Sequence, residues 1–364
     1  MVVERSVLSV DVAVVGGGQA ALAVGYYLAQ QGRNFLLLER ATSIGASWAR
    51  RWDSLQLFTP NAYNSLPGLH FPGDRWAYPN KDQVAAYLEE YSIRHQLPIQ
   101  TDAEVVGLTG QLGDFKLRLF DGSAVKARQV VIATGPFSVP FTPMLSSQVE
   151  QSVFQIHSND YRNPAQLPGT SVLVIGGGNS GFQIAKELAA AGKNVFISEG
   201  QRLPTIRQRL LGRDLFWWLS LGRLIEASSS SWLGRRMRAN EPVIGLTRRA
   251  LRKVGIDFRP RAVAASGSAI TFEDGSSVGV DAVVWATGFS GDDRWVSIPN
   301  ALNGDGVIHL ERGRTQIKGL HVLGRPWQRS RGSALLGFVQ TDAQLLSELL
   351  CEEMQEFEAT RLAP

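Results

Sequence analysis

The chain has 364 residues, 44% of them apolar, and a formal charge of +4. That is enough apolar material for about two cores and excludes a disordered chain. No apolar run reaches the roughly 18 to 20 residues needed to cross a bilayer, and so mild a charge gives no reason to expect nucleic acid. The single cysteine, Cys351, excludes an internal disulfide and a CxxC redox centre. The five histidines show no metal-ligand spacing, so no metal is expected. Glu4 and Arg5 interrupt the first apolar residues, which argues against a signal peptide and for a soluble, cytoplasmic protein.

In chain order, the first predicted unit is a strand over Ser9 to Val15, the turn Gly16-Gly17-Gly18-Gln19-Ala20-Ala21, and a helix to about Gln31. Gly32 stops that helix, and a second strand runs from Asn34 to Leu38 into Glu39 and Arg40. This is a β-α-β dinucleotide fingerprint. Gly16 permits the tight turn, Gly18 lets a pyrophosphate approach the backbone, and Ala21 stands in for the third glycine. The helix N-terminus takes the phosphate charge, and Glu39 is placed to accept bonds from a ribose. Further on, Phe120-Asp121-Gly122-Ser123 reads as a hairpin turn before a buried strand that ends in Ala133-Thr134-Gly135.

After prolines 140, 143, 164 and 168, which mark a joint, the pattern repeats. A strand over Ser171 to Ile175 leads into Gly176-Gly177-Gly178-Asn179-Ser180-Gly181, a helix to about Ala191, and a strand over Asn194 to Ser198 followed by Glu199, Gly200, Gln201 and Arg202. Phe272 to Ser276 and the strand ending Ala286-Thr287-Gly288 echo the first hairpin. One such glycine motif is weak evidence; two with matching flanks and matching echoes are strong. The predicted architecture is therefore α/β, with two Rossmann-like dinucleotide-binding domains and the second inserted into the first. Its boundaries are 1–150, 151–292 and 293–364, and its tail is a long amphipathic helix from about Leu335 to Ala359. Between Arg202 and Arg252, arginines mix with Trp217, Trp218 and Trp232. That segment reads as a surface helix pair or a lid, with weak membrane-surface contact as a second reading and nucleic-acid contact, for which no recognition motif accompanies the charge, as a third.

Several segments resemble the flavin-containing monooxygenases, and in particular their small bacterial CzcO-like members. The segments are Val172 to Gly181, Trp48 with Trp52 to Pro60, Tyr78-Pro79, and Trp327 to Val339. The motif FxGxxxHSxxF/Y of that family is matched at His157, Ser158 and Tyr161, and departs at Gln151 and Val153. The resemblance implies FAD in the first domain, at Gly16, Gly18, Gln19, Ala20, Ala21, Glu39, Arg40, Trp48, Leu57, Thr134, Gly135 and Gln340. It implies NADH or NADPH, with relaxed preference, in the second, at Gly176, Gly178, Asn179, Ser180, Gly181, Ser198, Glu199, Arg202, Thr287 and Gly288. It also implies a monooxygenase in which a nicotinamide hydride reduces FAD, O2 adds at the flavin C4a carbon, and one oxygen atom passes to an amine, a sulfide or a ketone. The last helix would direct its N-terminus at the flavin. Phe58 takes the place where many members carry an asparagine that aids oxygen activation. Phe58 and His157 are the candidates beside the flavin, and no acid–base residue is assigned. A small-molecule substrate and O2 are the expected partners, with a homodimer left open. The alternatives are a cysteine-free ferredoxin- or quinone-reductase-like enzyme and a non-enzymatic nucleotide sensor.

Overall fold

The computed structural model describes residues 8–362; Glu4 and Arg5, on which the expectation about a leader rests, lie outside them. The strand Leu8–Val15 is buried on both faces from Val12 onward, as its nearly continuous apolar run requires. It pairs in parallel with Phe35–Leu38 on one side and Ala124–Ile132 on the other. Glu39 lies one residue beyond the second strand, not at its end. Ala124–Ile132 has two neighbours on its far side. Asp114–Leu119 covers its first half, and Leu320–Val322 its second, with Leu320 opposite Val130. A strand from near the C-terminus thus completes the first sheet.

The second sheet is wholly parallel, in the order Asp257–Arg259, Asn194–Ser198, Ser171–Ile175, Ala282–Trp285, Phe154–His157. Where the chain passes between the two sheets, Val139–Pro140 pairs antiparallel with Phe289–Ser290, so outgoing and returning linkers are zipped together. Both Asp-Gly turns form hairpins. They differ in one respect. In the first, the returning strand, Ala124–Ile132, is itself the one that leads into Ala133, whereas in the second a short strand, Ser277–Gly279, intervenes.

Two corrections concern the C-terminal half. The last helix runs Val339–Leu362 rather than from Leu335 to Ala359. Arg331–Ala334 form a separate 3-10 turn capped by Ser330, and Leu335 is extended, because Gly337 must pass against the backbone of Tyr63 and Asn64 before the helix can start. The helix then packs Val339, Ala343, Leu346 and Leu350 onto the first helix, Gln19–Gln30, which presents Ala20 to Val24.

The arginine-rich segment is more than a surface pair. It holds the hairpin Arg209–Leu210/Arg213–Asp214 and the helices Leu215–Leu221, Trp232–Ala239 and Arg248–Lys253. It docks on the first domain by specific bonds: Tyr78 donates to Asp214 (2.6 Å), Gln208 to the Phe58 carbonyl (2.8 Å) and Trp327 to Glu241 (2.9 Å), while Arg331 pairs with Glu241 (2.6 Å). Leu211 and Trp232 remain exposed. Among the described residues no helix is long and apolar enough to cross a membrane, and no cluster of side chains could hold a metal.

Candidate functional site

The two glycine turns match position by position. Gly16 and Gly176 have φ of +120° and +127°. A Cβ there would come within 2.5 Å of the Ala133 carbonyl oxygen in one case and 2.1 Å of the Ala286 carbonyl oxygen in the other, so only glycine fits the crossing of turn and neighbouring strand. Gly17 and Gly177 lie against the carboxylates of Glu39 and Glu199. Gly18 and Gly178 face open space, with nothing within 4 Å of a Cβ. Each open position caps a helix, Gln19–Gln30 or Asn179–Ala190, whose first N–H groups have no side-chain cap. An open space lined by unsatisfied N–H donors suits a pyrophosphate. Gly324, which the sequence reading missed, closes the first cradle: a Cβ there would lie 2.7 Å from that of Ala20. Its only signal in the sequence is a short apolar strand ending in glycine.

The carboxylates differ. Glu39 accepts from the N–H groups of Gly17 (2.6 Å) and Ala41 (2.9 Å) and has no cation beside it among the described residues. Glu199 is held by Arg248 through Nε (2.8 Å) and Nη2 (2.6 Å), with both side chains only about a tenth exposed. The cation beside Glu199 is therefore Arg248 and not Arg202; Arg248 comes from a helix that no spacing rule connects to Glu199. Arg202, like Arg40, is exposed. Ser198 also departs from its expected role: its hydroxyl is buried between the Pro260 carbonyl and the Ala262 N–H. Asn179 accepts from the Ile244 N–H, Ser180 follows it in the same helix, and Gly181 packs under the Gly176 carbonyl.

Thr134-Gly135 and Thr287-Gly288 lie just beyond the strands Ala124–Ile132 and Ala282–Trp285, beside the two cradles. Trp48 donates to Gln19 (3.3 Å), and Trp48 and Leu57 pack against the cores of both domains. Gln340 donates to the Gly337 carbonyl (2.8 Å) at the start of the last helix. Phe58 stacks on Phe216 of the inserted segment, with centroids 5.9 Å apart, and Tyr63 and Phe338 extend that cluster.

His157 is buried, with both ring nitrogens engaged: Nε2 donates to the Gly288 carbonyl (3.1 Å) and Nδ1 accepts from the Asn159 N–H (3.0 Å). This network assigns the tautomer. Burial holds its pKa below the usual imidazole value. Tyr161, fully buried, donates to Glu187 (2.8 Å). The matched motif residues therefore pin the linker to the second domain, and His157 offers no free nitrogen for proton transfer. Close by, the Arg51 guanidinium lies between the rings of Phe137 (4.9 Å) and Phe289 (5.4 Å). Burial and the neighbouring Arg162 make its charge costly, and no carboxylate pairs with it among the described residues. It leaves a partly buried cation beside the paired linkers.

A pyridine nucleotide-disulphide oxidoreductase model matches residues 13–208, more than half the chain. An oxidoreductase described as CzcO-like from Geobacillus kaustophilus is 42% identical over 93% of this chain and 97% of its own. The chain belongs to the pyridine nucleotide-disulphide oxidoreductase family and groups with the CzcO-like oxidoreductases. Among solved structures, a flavin-containing monooxygenase from Stenotrophomonas maltophilia has a TM-score of 0.80 at 26% identity, covering 95% of this chain and 99% of that one. An indole-3-pyruvate monooxygenase of Oryza sativa subsp. japonica is 30% identical over 56% of this chain and 51% of its own. This CzcO-like chain is a flavin-dependent oxidoreductase that uses FAD and a nicotinamide dinucleotide. With only Cys351, it lacks the cysteine pair of a disulfide reductase.

Proposed function

We propose that the protein is a monooxygenase that consumes NAD(P)H and transfers one oxygen atom from O2 to a soft nucleophile (nitrogen or sulfur) or to a ketone. The observation that carries this reading is the pairing of two dinucleotide cradles in a chain without a dithiol. Electrons that reach the flavin find no sulfur acceptor in the protein. When bound, FAD supplies the hydride acceptor and the means to activate O2; the protein positions it and excludes water.

FAD would be held at Gly16, Gly18 and Gly324, with Glu39 to take its adenosine ribose and Trp48 and Leu57 to pack toward its ring. The N-terminus of the last helix, at Val339 and Gln340, favours negative charge on the reduced ring. The nicotinamide dinucleotide would be held at Gly176 and Gly178, with Gly181 packed beneath the turn, and Arg51 would supply a positive charge for its phosphates. Phe58 has no side-chain donor, so oxygen transfer is expected to leak hydrogen peroxide. Two relatives described as monooxygenases support the reading.

The test follows NADH and NADPH consumption against the sulfoxide formed from a thioether and against hydrogen peroxide released. Sulfoxide that scales with nucleotide consumed is the expected result. Consumption that yields only peroxide across amine, thioether and ketone substrates, together with rapid reduction of a quinone, would favour the electron-transfer alternative.

A further inference from the structure

Beside neither glycine turn, between the inserted segment and the start of the last helix, lies a cavity of about 230 Å³. Ligand pockets run from roughly 300 to 1,000 Å³, so its occupant is small. One wall is aromatic: Tyr63 and Phe338 stack with centroids 6.0 Å apart and planes 9° apart. Ser220 lines the opposite, inserted side, and its hydroxyl is buried with no hydrogen-bond partner. The Tyr63 hydroxyl lies beside it, a hydrogen-bonding contact that partly offsets the rise burial causes in the Tyr63 pKa, but the contact falls short of full bonding geometry. A buried hydroxyl without a partner is costly and marks a place where a ligand atom can bond.

Arg223 and Glu226 line the same cavity. They are three residues apart on one turn, closed by the Glu226 N–H on the Arg223 carbonyl (3.2 Å). Both side chains are exposed, where water alone can hold a charge. Here neither side chain has an ion-pair or hydrogen-bond partner among the described residues. Arg223 also adopts φ of +52°, a left-handed conformation that costs a non-glycine residue energy and gathers at functional sites.

From this arrangement we infer that the cavity is a binding site for a zwitterionic α-amino acid with an apolar or aromatic side chain. Arg223 meets its carboxylate, Glu226 its ammonium group, Ser220 supplies a further bond, and Tyr63 and Phe338 pack its side chain. The site stands whether or not oxygen transfer follows, since it is defined by binding alone.

Titration calorimetry on the FAD-loaded protein tests it without nicotinamide or oxygen turnover. The ligands are L-phenylalanine, 3-phenylpropanoate, which lacks the ammonium group, and 2-phenylethylamine, which lacks the carboxylate. L-Phenylalanine is expected to bind, and each truncated ligand to bind on the order of tenfold more weakly, the loss of one charge-assisted hydrogen bond. Arg223→Gln should weaken L-phenylalanine and 3-phenylpropanoate and leave 2-phenylethylamine unchanged; Glu226→Gln should do the converse. Both residues are exposed, so neither change threatens the fold, and flavin absorbance checks that the variants are intact. The inference is overturned if L-phenylalanine gives no binding heat at millimolar concentration, if 3-phenylpropanoate binds as well as the amino acid, or if both variants bind L-phenylalanine like the parent.

Discussion

Glu39 and Glu199 stand in matching positions, yet only Glu199 has a cation beside it. A bare carboxylate repels the 2′-phosphate of NADPH, whereas a carboxylate already neutralised by Arg248 does so weakly. Both NADH and NADPH should therefore be used. Glu199→Gln leaves the Arg248 charge uncompensated and should shift kcat/KM toward NADPH by about 5- to 30-fold, the equivalent of about 1 to 2 kcal/mol. Arg248→Ala should shift it toward NADH. Steady-state kinetics with each coenzyme reads both, and equal preference in all three proteins would remove the pair from coenzyme selection. Breaking a buried pair can itself destabilise a protein by about 3 to 5 kcal/mol, so the double variant Glu199→Gln, Arg248→Ala serves as the folding control. A second residue-scale expectation concerns His157. Its pKa in the fold is lowered by burial, so the unfolded chain binds the proton more readily. Its contribution is thus intact at neutral pH and is lost as pH falls below the ordinary imidazole value, about 6.5. Thermal midpoints of the parent and His157→Asn, measured from pH 8 to pH 5, should converge on acidification. A constant gap would contradict the buried neutral ring.

At the scale of elements, the inserted segment is held to the first domain through Glu241, which accepts from Trp327 and pairs with Arg331. Arg331 is buried enough that its charge is costly without that partner. Glu241 is itself partly exposed, which discounts the pair to about 1 to 3 kcal/mol. Glu241→Ala should therefore release the segment rather than unfold the enzyme, seen as faster proteolysis within residues 202–252 at nearly unchanged overall Tm. Unchanged cleavage would mean that the Tyr78–Asp214 and Gln208–Phe58 bonds suffice. The helices themselves follow local rules. Asn80 and Gln83 make a reciprocal capping box at the head of Lys81–Arg94, and Asp214, Ser231 and Thr247 cap the three helices of the insertion. Those caps act within a few positions of the chain. The docking does not, since Tyr78 and Asp214 are 136 positions apart.

For the whole molecule, the decisive connection is Leu320–Val322 against Ala124–Ile132. A chain ending at residue 292 would leave the second half of that strand as an apolar open edge, with Val130, Val131 and Ile132 uncovered. It would also lose Val339, Ala343 and Leu350 from the core around the first helix. Such a truncation is expected to yield insoluble protein without bound flavin. A soluble yellow product would show that the first domain is complete without its returning piece. The joint between the domains combines the paired linkers at Val139–Pro140 and Phe289–Ser290, Arg51 between Phe137 and Phe289, the packing of Trp48 and Leu57 on both cores, and the docking bonds of the inserted segment.

The two glycine turns, their flanking strands and helices and the two Asp-Gly hairpins were legible in the sequence because each is a local device. Glycine spacing, apolar runs and turn residues act over a few positions, and their physics is complete within them. The carboxylate after each second strand was legible for the same reason. What surrounds that carboxylate was not. Arg248 beside Glu199, Gly324 against Ala20, Arg51 between two phenylalanines and the cavity between Tyr63 and Ser220 all join residues far apart in the chain. Their charge state and exposure depend on which distant element packs against them. Only the tertiary structure decided that Glu39 stays bare while Glu199 is neutralised. A carboxylate's field is set by the charges within a few ångströms of it, and those neighbours are chosen by the packing of the whole chain.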